Sequence, residues 1–512
     1  MDEVREQGVG RWTAIALVGL LTVLAGLAVN WPRQPSFTAT LAKVLPPTGP
    51  AVQVWLSTAD RKLRLARQAD VVADGRDAGT KPSDVVIGID RKYQTMVGFG
   101  AALTDASAWL IQNKLSATQR AALLQEIFGP PPGLNFNMLR ITIGASDFSL
   151  QHYTLDDMPA GQVDPDLQHF NVSVDQRDVI PVLHDLLTIR PGLRIIASPW
   201  SAPAWMKSSA NLIGGTLLEP YEAAYANYLV RFVDAFQGYG IPIFALTVQN
   251  EPEFEPLTYP GMNLPAEARA RIIGKYLGPA LAGRKPETVI LGWDHNWDAP
   301  DQPLGVLADP DARRHIAGIA WHCYRGDAAA QTTVHRAYPK KDVYLTECAG
   351  GDWPSAKNGE LLLFARNIIM VGITNWARGV VYWNLVLDEN HGPHAGGCDE
   401  CKGVVTVDSA TGTISRNDEY YAFAHFSRFV LPGAARVKSV NTNAGIHEVA
   451  FQNPGDGSVV LVAVNGNTQV NRLSVKQGSL RFEYDMPASS VATFVWSPAA
   501  TGEPAPAASS GR

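Results

Sequence analysis

The chain has 512 residues, of which 46% are hydrophobic and 18% are charged, and its formal net charge at pH 7 is −6. This length and composition exclude a small module and a disordered chain, and they predict a globular protein with more than one domain. The weakly acidic balance gives no indication of nucleic-acid binding, so no nucleic acid is expected among the partners.

The first predicted element is an apolar segment at residues 13–29, with Arg5 and Arg11 before it. Its 17 residues are at the short limit for a spanning helix, and the small residues at 26–28 offer a place for signal-peptidase cleavage. We therefore expect residues 1–36 to be a signal peptide or a membrane anchor; a buried core helix is the remaining alternative. Either of the first two would place the catalytic body outside, in the periplasm, in the medium or tethered to the membrane.

Short β-strands are predicted on both sides of the central region. The apolar runs at 52–56 and 84–90 lie in residues 37–95, and four more lie in residues 432–498, at 446–451, 458–464, 480–484 and 491–496. The early strands are too few for a stable sheet of their own, so we expect both terminal segments to form one accessory β-sandwich domain. Residues 499–512, rich in Ala, Pro and Ser, are predicted to be disordered.

Residues 96–431 alternate short apolar runs with segments of helical periodicity, which indicates parallel βα units of the α/β class. The eight candidate strands are 97–103, 137–143, 193–198, 243–248, 289–293, 316–322, 343–347 and 379–385. Eight such units predict a closed (β/α)8 TIM barrel, whose active site would lie at the carboxyl ends of the strands.

Two glutamates lie at those predicted strand ends. Glu251 follows the fourth run in the tripeptide Asn250-Glu251-Pro252, and Glu347 ends the seventh. Polar and aromatic residues follow the other runs, namely Arg140, Trp200, Trp293 with Asp294, His322, Tyr324 and Trp383 with Asn384. Paired carboxylates are what glycoside hydrolysis requires, since one protonates the leaving oxygen while the other attacks or activates water. The sequence therefore predicts a carbohydrate-active barrel that needs no metal or cofactor for its chemistry.

Several motifs together resemble glycoside hydrolase family 30, the glucosylceramidase-like enzymes. The resemblance covers roughly residues 94–437 through the segments 98–105, 146–149, 197–207, 249–252, 346–348 and 383–385, together with Arg140. It implies a retaining mechanism in which Glu251 is the acid/base and Glu347 the nucleophile. We expect Arg140 to keep the pKa of Glu347 low and the charge of Glu347 to raise the pKa of Glu251.

The resemblance also implies substrate contacts. Asn250 is expected to donate to the sugar 2-hydroxyl, Asp147, Trp200 and Trp383 to hold the sugar, and His322 and Tyr324 to support the nucleophile or line the pocket. For each of these residues a purely structural role, in core packing or as a helix cap, is the alternative.

Three hypotheses about the function and the substrate remain open. The first is a β-glucosidase for glucosylceramide-like or other β-glucosides, the second a β-1,6-glucanase or another β-glycanase, and the third a carbohydrate-binding protein without catalysis. The expected partners are accordingly a β-glucoside, a glycolipid or a β-glucan, with membrane association through the N-terminal segment as a further possibility. An open cleft with several aromatic subsites would favour the glucanase over the β-glucosidase.

The chain has four cysteines. Cys398 and Cys401 are predicted to form a local disulfide if the protein is exported. The alternatives are a structural zinc site formed with His391 and His394, or free thiols. Cys323 and Cys348 are expected to be small packing residues.

Overall fold

The computed structural model describes residues 49–74, 83–353 and 360–498. The predicted leader at 1–36 and the predicted disordered tail at 499–512 lie outside the described residues. Among the helices in the described ranges, none combines the length and the apolar character that crossing a membrane requires.

The N-terminal strands come first along the chain and lead into the barrel. They are β1 (Ala51–Thr58), β2 (Ala66–Arg67), β3 (Val71–Val72) and β4 (Val85–Thr95). The barrel strands and one short strand among them are β5 (Gly98–Leu103), β6 (Met138–Ile143), β7 (Arg194–Pro199), β8 (Ala245–Thr247), β9 (Val289–Asn296), β10 (Ile316–His322), β11 (Asp342–Glu347), β12 (Gly350–Gly351) and β13 (Ala377–Tyr382).

Eight of these strands close into a parallel barrel in the order β10-β11-β13-β5-β6-β7-β8-β9. One apolar cluster takes a side chain from each of seven strands, as a packed barrel core requires. The (β/α)8 barrel predicted from eight apolar runs is therefore confirmed.

The helices cover the outside of the barrel. They are α1 (Asp105–Asn113), α2 (Ala117–Phe128), α3 (Val179–Ile189), α4 (Glu222–Gly238), α5 (Ala266–Arg271), α6 (Gly278–Leu281), α7 (Asp301–Ala308), α8 (Pro310–His315), α9 (Ala329–Ala337), α10 (Glu360–Leu362), α11 (Val371–Thr374) and α12 (Asp418–Ser427). Short π-helical stretches at Ile272–Leu277 and Leu363–Met370 join α5 to α6 and α10 to α11.

Local sequence explains where several of these helices begin. Ser116 caps α2 reciprocally with Gln119, and Thr104 caps α1 by accepting from the backbone of Ser107. In α3 the apolar side chains fall on one face, which is buried against the barrel.

The remaining strands complete a second sheet after a loop region. The loop carries β14 (Val386–Asp388), β15 (Cys401–Lys402), β16 (Val405–Val407) and β17 (Ile414–Arg416). It is followed by β18 (Ala435–Asn441), β19 (Ile446–Gln452), β20 (Val459–Asn465), β21 (Asn471–Gln477), β22 (Leu480–Met486) and β23 (Ser490–Trp496).

Both ends of the chain contribute to this ten-stranded sheet, as predicted. The strand β1 pairs antiparallel with β23, and β4 lies between β18 and β21. One apolar core draws side chains from the strands at both ends of the sheet, so the sheet folds over on itself as a sandwich. The domain is therefore closed by strands that are far apart in sequence.

The sandwich and the barrel share one buried contact around His425 of α12. Its ring nitrogens lie 2.8 Å from the hydroxyls of Ser57 in β1 and Thr493 in β23. The imidazole is completely buried, and that burial lowers its pKa to about 3. A neutral histidine therefore joins a barrel helix to the two terminal strands.

Candidate active site

The carboxyl ends of the barrel strands bring Glu251 and Glu347 together. The ring nitrogen Nδ1 of His322 lies 3.1 Å from Oε1 of Glu251 and 3.7 Å from Oε1 of Glu347. These two distances keep the carboxylate oxygens less than about 7 Å apart. Two glutamates 96 positions apart in the sequence thus face one another across the top of the barrel.

Arg140 is the charged centre of the site and is fully buried. Its guanidinium donates to Oε2 of Glu347, and its Nη2 donates to Asn250 at 2.7 Å and to Asp294 at 2.9 Å. The ring of Trp200 lies 5.0 Å from the guanidinium carbon. Because the guanidinium is planar and its donors point in fixed directions, Arg140 sets the orientation of both the nucleophile candidate and Asn250.

Glu347 has a second donor on its other oxygen. The hydroxyl of Tyr324 donates to Oε1 at 2.9 Å. With Arg140 on Oε2, both oxygens of this carboxylate are held, which leaves little rotational freedom for the group that would attack a sugar.

Two further residues belong to the site: Asp294, which the sequence placed at a strand end without assigning it a role, and His295, which it did not indicate. Asp294 has no exposed surface and accepts from Arg140, Thr247 and Nε2 of His322. Burial raises the pKa of Asp294, but these positive and hydrogen-bonding neighbours outweigh burial and hold it well below the usual range. Asp294 is therefore a permanent negative charge beneath the site.

His322 lies between this buried charge and Glu251. Burial lowers its pKa, while the charge of Glu347 and the hydrogen bonds to Asp294 and Glu251 raise it, with a net rise to about 9. For Glu251, burial raises the pKa, but His295 at 3.3 Å and His322 at 3.1 Å lower it to about 2. We expected the charge of Glu347 to raise the pKa of Glu251; that expectation was wrong, because the two imidazoles dominate.

The same three groups also bear on metal binding. One oxygen of Glu251 and one ring nitrogen each of His295 and His322 lie within 4.8 Å of one another, a grouping that a metal ion could use. The hydrogen bonds of His322 to Asp294 and to Glu251 also form a path through which a proton could move, from the buried Asp294 side to the cleft.

The backbone at two of these positions is unusual. Glu251 has φ 47° and Asp294 has φ 68°, in the left-handed region that non-glycine residues rarely adopt. The peptide nitrogen of Glu251 donates to the carbonyl of Asp294 at 3.0 Å, which ties the two segments together. Such conformations cluster at functional sites, where the surrounding structure must hold them.

An open cleft of about 670 Å³ lies above the two glutamates. Asp147, Tyr324 and Trp383 line its floor, while Phe254 and Leu257 lie on a wall that is open to solvent. Leu257 is 91% exposed, which is unusual for so large an apolar side chain. The cleft is therefore open to solvent and has an apolar wall at its rim.

Trp383 lines the cleft, and a second indole is stacked on it. The rings of Trp200 and Trp383 lie 5.1 Å apart at an angle of 21°. Asp147 is buried beside them, and burial, followed by the negative charge of Glu347, raises its pKa to about 8. At neutral pH Asp147 is thus a protonated acid that can donate a hydrogen bond.

The loop 388–404 covers one side of this floor. Gly397 has φ +84°, and a Cβ at this position would lie 2.4 Å from Cβ of Asp147, so only glycine lets the loop approach so closely. Ala395 donates from its backbone nitrogen to the Asp147 carbonyl at 2.9 Å. The loop therefore helps to fix Asp147 in place.

The loop contains a disulfide between Cys398 and Cys401. The disulfide expected from the sequence is thus present, and the two thiolates of the alternative zinc site are consumed by it. His391 and His394 instead contact the backbone carbonyls of Cys401 and Gly396. The structure therefore shows the disulfide and not the zinc alternative, because both sulfur atoms are bonded to each other.

A second disulfide joins Cys323 to Cys348, with their Cα atoms 5.4 Å apart. These residues were expected to be small packing residues, and that expectation was wrong. They follow the last residues of the neighbouring strands β10 and β11, and adjacent strand ends lie at a spacing that a disulfide can bridge.

The sequence matches two domains of one family. Residues 96–430 match the glycosyl hydrolase family 30 TIM-barrel domain, and residues 433–494 match the glycosyl hydrolase family 30 beta sandwich domain. The two matches together cover the barrel and the C-terminal strands of the sandwich.

Individual relatives show which activities occur among similar proteins. An endo-1,6-beta-D-glucanase of Neurospora crassa is 36% identical over 469 residues, which cover 87% of this chain and 95% of that protein. A lysosomal acid glucosylceramidase of Mus musculus is 30% identical over 436 residues, which cover 80% and 82%. A solved endo-beta1,6-glucanase structure has a TM-score of 0.81 and 32% identity, covering 88% of this chain and 100% of that chain.

Proposed function

Since the chain belongs to glycosyl hydrolase family 30 and is an enzyme that hydrolyses glycosidic bonds, we propose that it is a retaining endo-glucanase acting on β-1,6-linked glucan. Similarity over nearly the full length to endo-1,6-β-glucanases carries this proposal. The cleft supports it, because its solvent-open apolar wall suits a chain of sugars better than a single enclosed glucose. The glucosylceramide substrate, which the sequence alone put first, rests on more distant relatives.

In the proposed double displacement, Glu347 attacks the anomeric carbon and Glu251 protonates the leaving oxygen. A separation below about 7 Å fits the roughly 5–5.5 Å expected for retention better than most of the roughly 6.5–9.5 Å range of inverting enzymes. Arg140 and Tyr324 hold the attacking carboxylate from both oxygens. The glycosyl-enzyme ester is then hydrolysed by water that Glu251 deprotonates.

The proton for the first step is supplied through His322. In the resting site Glu251 is ionised and His322 carries the proton, as their lowered and raised pKa values indicate. As negative charge develops on the departing glycosidic oxygen, Glu251 takes up the proton from His322 along the 3.1 Å hydrogen bond and passes it to that oxygen in the same step, which leaves His322 neutral. Asp294 keeps the imidazole oriented through its other nitrogen.

The sugar in the cleaved position is held by groups whose hydrogen-bonding roles are fixed. The amide oxygen of Asn250 accepts from Arg140, so its NH₂ group remains to donate toward a 2-hydroxyl. The protonated Asp147 donates to another hydroxyl. Trp383, which lines the cleft, provides the aromatic surface against which the sugar ring packs, and Trp200 is stacked on it.

Export of the enzyme completes the proposal. Two disulfides suit an oxidising compartment outside the cytosol, where a polymeric glucan is also encountered. The apolar segment at 13–29 would serve as the export signal or anchor.

A substrate panel tests the proposal. Linear β-1,6-glucan, glucosylceramide, an aryl β-glucoside and an aryl β-xyloside are each incubated with wild type and with Glu347→Gln, which keeps the size of the side chain. We expect oligosaccharide release from the glucan, with a first product in the β configuration by NMR, and loss of release in the variant.

Other outcomes would revise the proposal. Cleavage of glucosylceramide without cleavage of glucan would restore the glucosylceramidase hypothesis, and an α-configured first product would overturn retention. Glucan binding with equal, negligible turnover in both proteins would favour a carbohydrate-binding protein.

A further inference from the structure

The disulfide Cys323–Cys348 lies directly behind the proposed catalytic groups. Cys323 separates His322 from Tyr324, and Cys348 follows Glu347. Cys323 is thus bonded through the backbone to two residues that contact the catalytic carboxylates, and Cys348 is bonded to the nucleophile itself.

The sulfur atoms lie on the side of the strands away from the cleft. Successive side chains of a strand point to opposite faces, so when His322 and Glu347 point into the site, the cysteines point outward. Cys348 is 2% exposed and belongs to the main apolar core, and Cys323 packs against that core. The bond is therefore anchored in the rigid part of the barrel.

The disulfide occupies the point where strand pairing stops. The register of β10 against β11 ends at the pair His322 and Glu347, after a shift between Trp321 and His322. Ladder hydrogen bonds thus hold the two strands up to the catalytic residues and not beyond. On the other side of β11, the carbonyl of Cys348 accepts from the backbone nitrogen of Trp383 at 3.1 Å.

We propose that the Cys323–Cys348 disulfide is a positioning element for catalysis: it fixes Glu347 relative to His322 and Tyr324 where the sheet no longer does so. The inference rests on the proposed retaining function, because it concerns the same nucleophile. Displacing a reacting group by about 1 Å can cost on the order of 100-fold in rate, so a covalent tie at this point has a kinetic consequence beyond stability.

The test compares the double variant Cys323→Ala/Cys348→Ala with wild type. The probe is 2-deoxy-2-fluoro-β-glucosyl fluoride, which forms a slowly hydrolysed ester with the nucleophile of a retaining β-glucosidase. Labelling is followed by intact mass spectrometry, alongside kcat and KM on β-1,6-glucan. We expect the maximal labelling rate and kcat to fall about 10- to 100-fold, with KM within about threefold.

A second variant isolates the same bond without mutating it. In Cys398→Ala/Cys401→Ala the Cys323–Cys348 disulfide is the one that a phosphine reductant can open, since the chain has four cysteines. Reduction of this variant should reproduce the loss of labelling rate, and reoxidation should restore it. Thermal melting of every sample distinguishes slower chemistry from unfolding.

The outcomes separate the inference from the proposed function. A double variant that melts at lower temperature but labels and turns over at the wild-type rate would show a merely structural disulfide and overturn the inference. A wild type that cleaves glucan to an α-configured first product would overturn the retaining mechanism, and the kcat comparison would then decide the role of the disulfide.

Discussion

Replacing Tyr324 by Phe removes one atom from the site, the hydroxyl oxygen that donates to Oε1 of Glu347 at 2.9 Å. The ring remains, and Arg140 still holds the other carboxylate oxygen. The substitution therefore isolates one hydrogen bond to a group whose charge changes during the reaction. Its effect should differ between the two chemical steps.

The larger effect is expected when the glycosyl-enzyme is hydrolysed. In that step Glu347 leaves the sugar and regains its negative charge, which the phenol stabilises. A hydrogen bond to a charged group contributes about 1.5–3 kcal/mol, and about 1.4 kcal/mol corresponds to a factor of ten in rate. We therefore expect Tyr324→Phe to slow deglycosylation about 10- to 100-fold. The first step should slow less, because there the nucleophile loses charge.

The assay uses an aryl β-glucoside with a good leaving group, for which deglycosylation limits turnover. Stopped-flow absorbance should show a burst of phenol close to one equivalent, followed by a reduced steady-state rate, and mass spectrometry should detect the glycosyl-enzyme. The matched control is Tyr344→Phe, which removes a hydroxyl near Asp342 at the opposite end of the barrel.

The control should turn over at the wild-type rate. If Tyr324→Phe retains kcat within about threefold and accumulates no intermediate, the hydrogen bond does not stabilise the departing carboxylate, and the role assigned to Tyr324 is incorrect.

Three further predictions concern protons. Glu251→Gln should lower β-1,6-glucan hydrolysis about 10²- to 10⁴-fold yet largely spare the first-turnover burst of phenol from an activated aryl glucoside, because that leaving group needs no acid. The steady-state phenol rate should fall, because Glu251 is also the base of the second step; paired chromatographic and stopped-flow absorbance assays check this. The pKa of Asp147 is raised to about 8, so its carboxyl group loses the proton that it donates above that pH, and kcat/KM of the wild type should decline there. Asp147→Asn keeps a donor at every pH and should abolish this decline in the pH–rate profile. An unchanged decline in the variant would contradict the assignment. Burial lowers the pKa of His425 to about 3, so as pH falls from about 6.5 toward 3 only the unfolded state takes up a proton at this residue. The free energy of unfolding should therefore fall over that pH range. Urea titrations at several pH values should show a smaller pH dependence of this free energy for His425→Gln.

The barrel was predictable because each of its strands is an apolar run of ordinary length, bounded by turn residues. The strands of the sandwich were less predictable. The strands β18 (Ala435–Asn441) and β21 (Asn471–Gln477) were not predicted, because their polar residues alternate with few apolar ones. These two strands are stabilised by pairing with β4, which comes from the other end of the chain, and not by a high β-propensity of their own residues.

The site was predictable in its residue types but not in its electrostatics. Strand ends indicated Glu251, Glu347 and Arg140, and the structure places these three side chains within one connected network. His295 could not be found in this way, because β9 continues to Asn296, beyond the apolar run that ended the prediction. The direction of the Glu251 pKa shift depends on that missed histidine.

The Cys323–Cys348 pair shows a different kind of error. Sequence already placed both cysteines just after neighbouring strand ends, and strands in a sheet lie about 4.8 Å apart, so bonding distance followed from the prediction itself. The two residues were instead considered separately, as packing side chains. Combining the predicted strand order with disulfide geometry would have revealed the bond.

The pairing of β1 with β23 has a consequence for how the protein is made. The residues of β1, Ala51–Thr58, are synthesised first, but those of their partner, Ser490–Trp496, arrive more than 400 positions later. At about 5–20 residues per second, a ribosome needs tens of seconds to cover that distance. Throughout that time the barrel can fold while β1 lacks this partner, so the apolar residues of β1 stay open to misassociation until the end of synthesis.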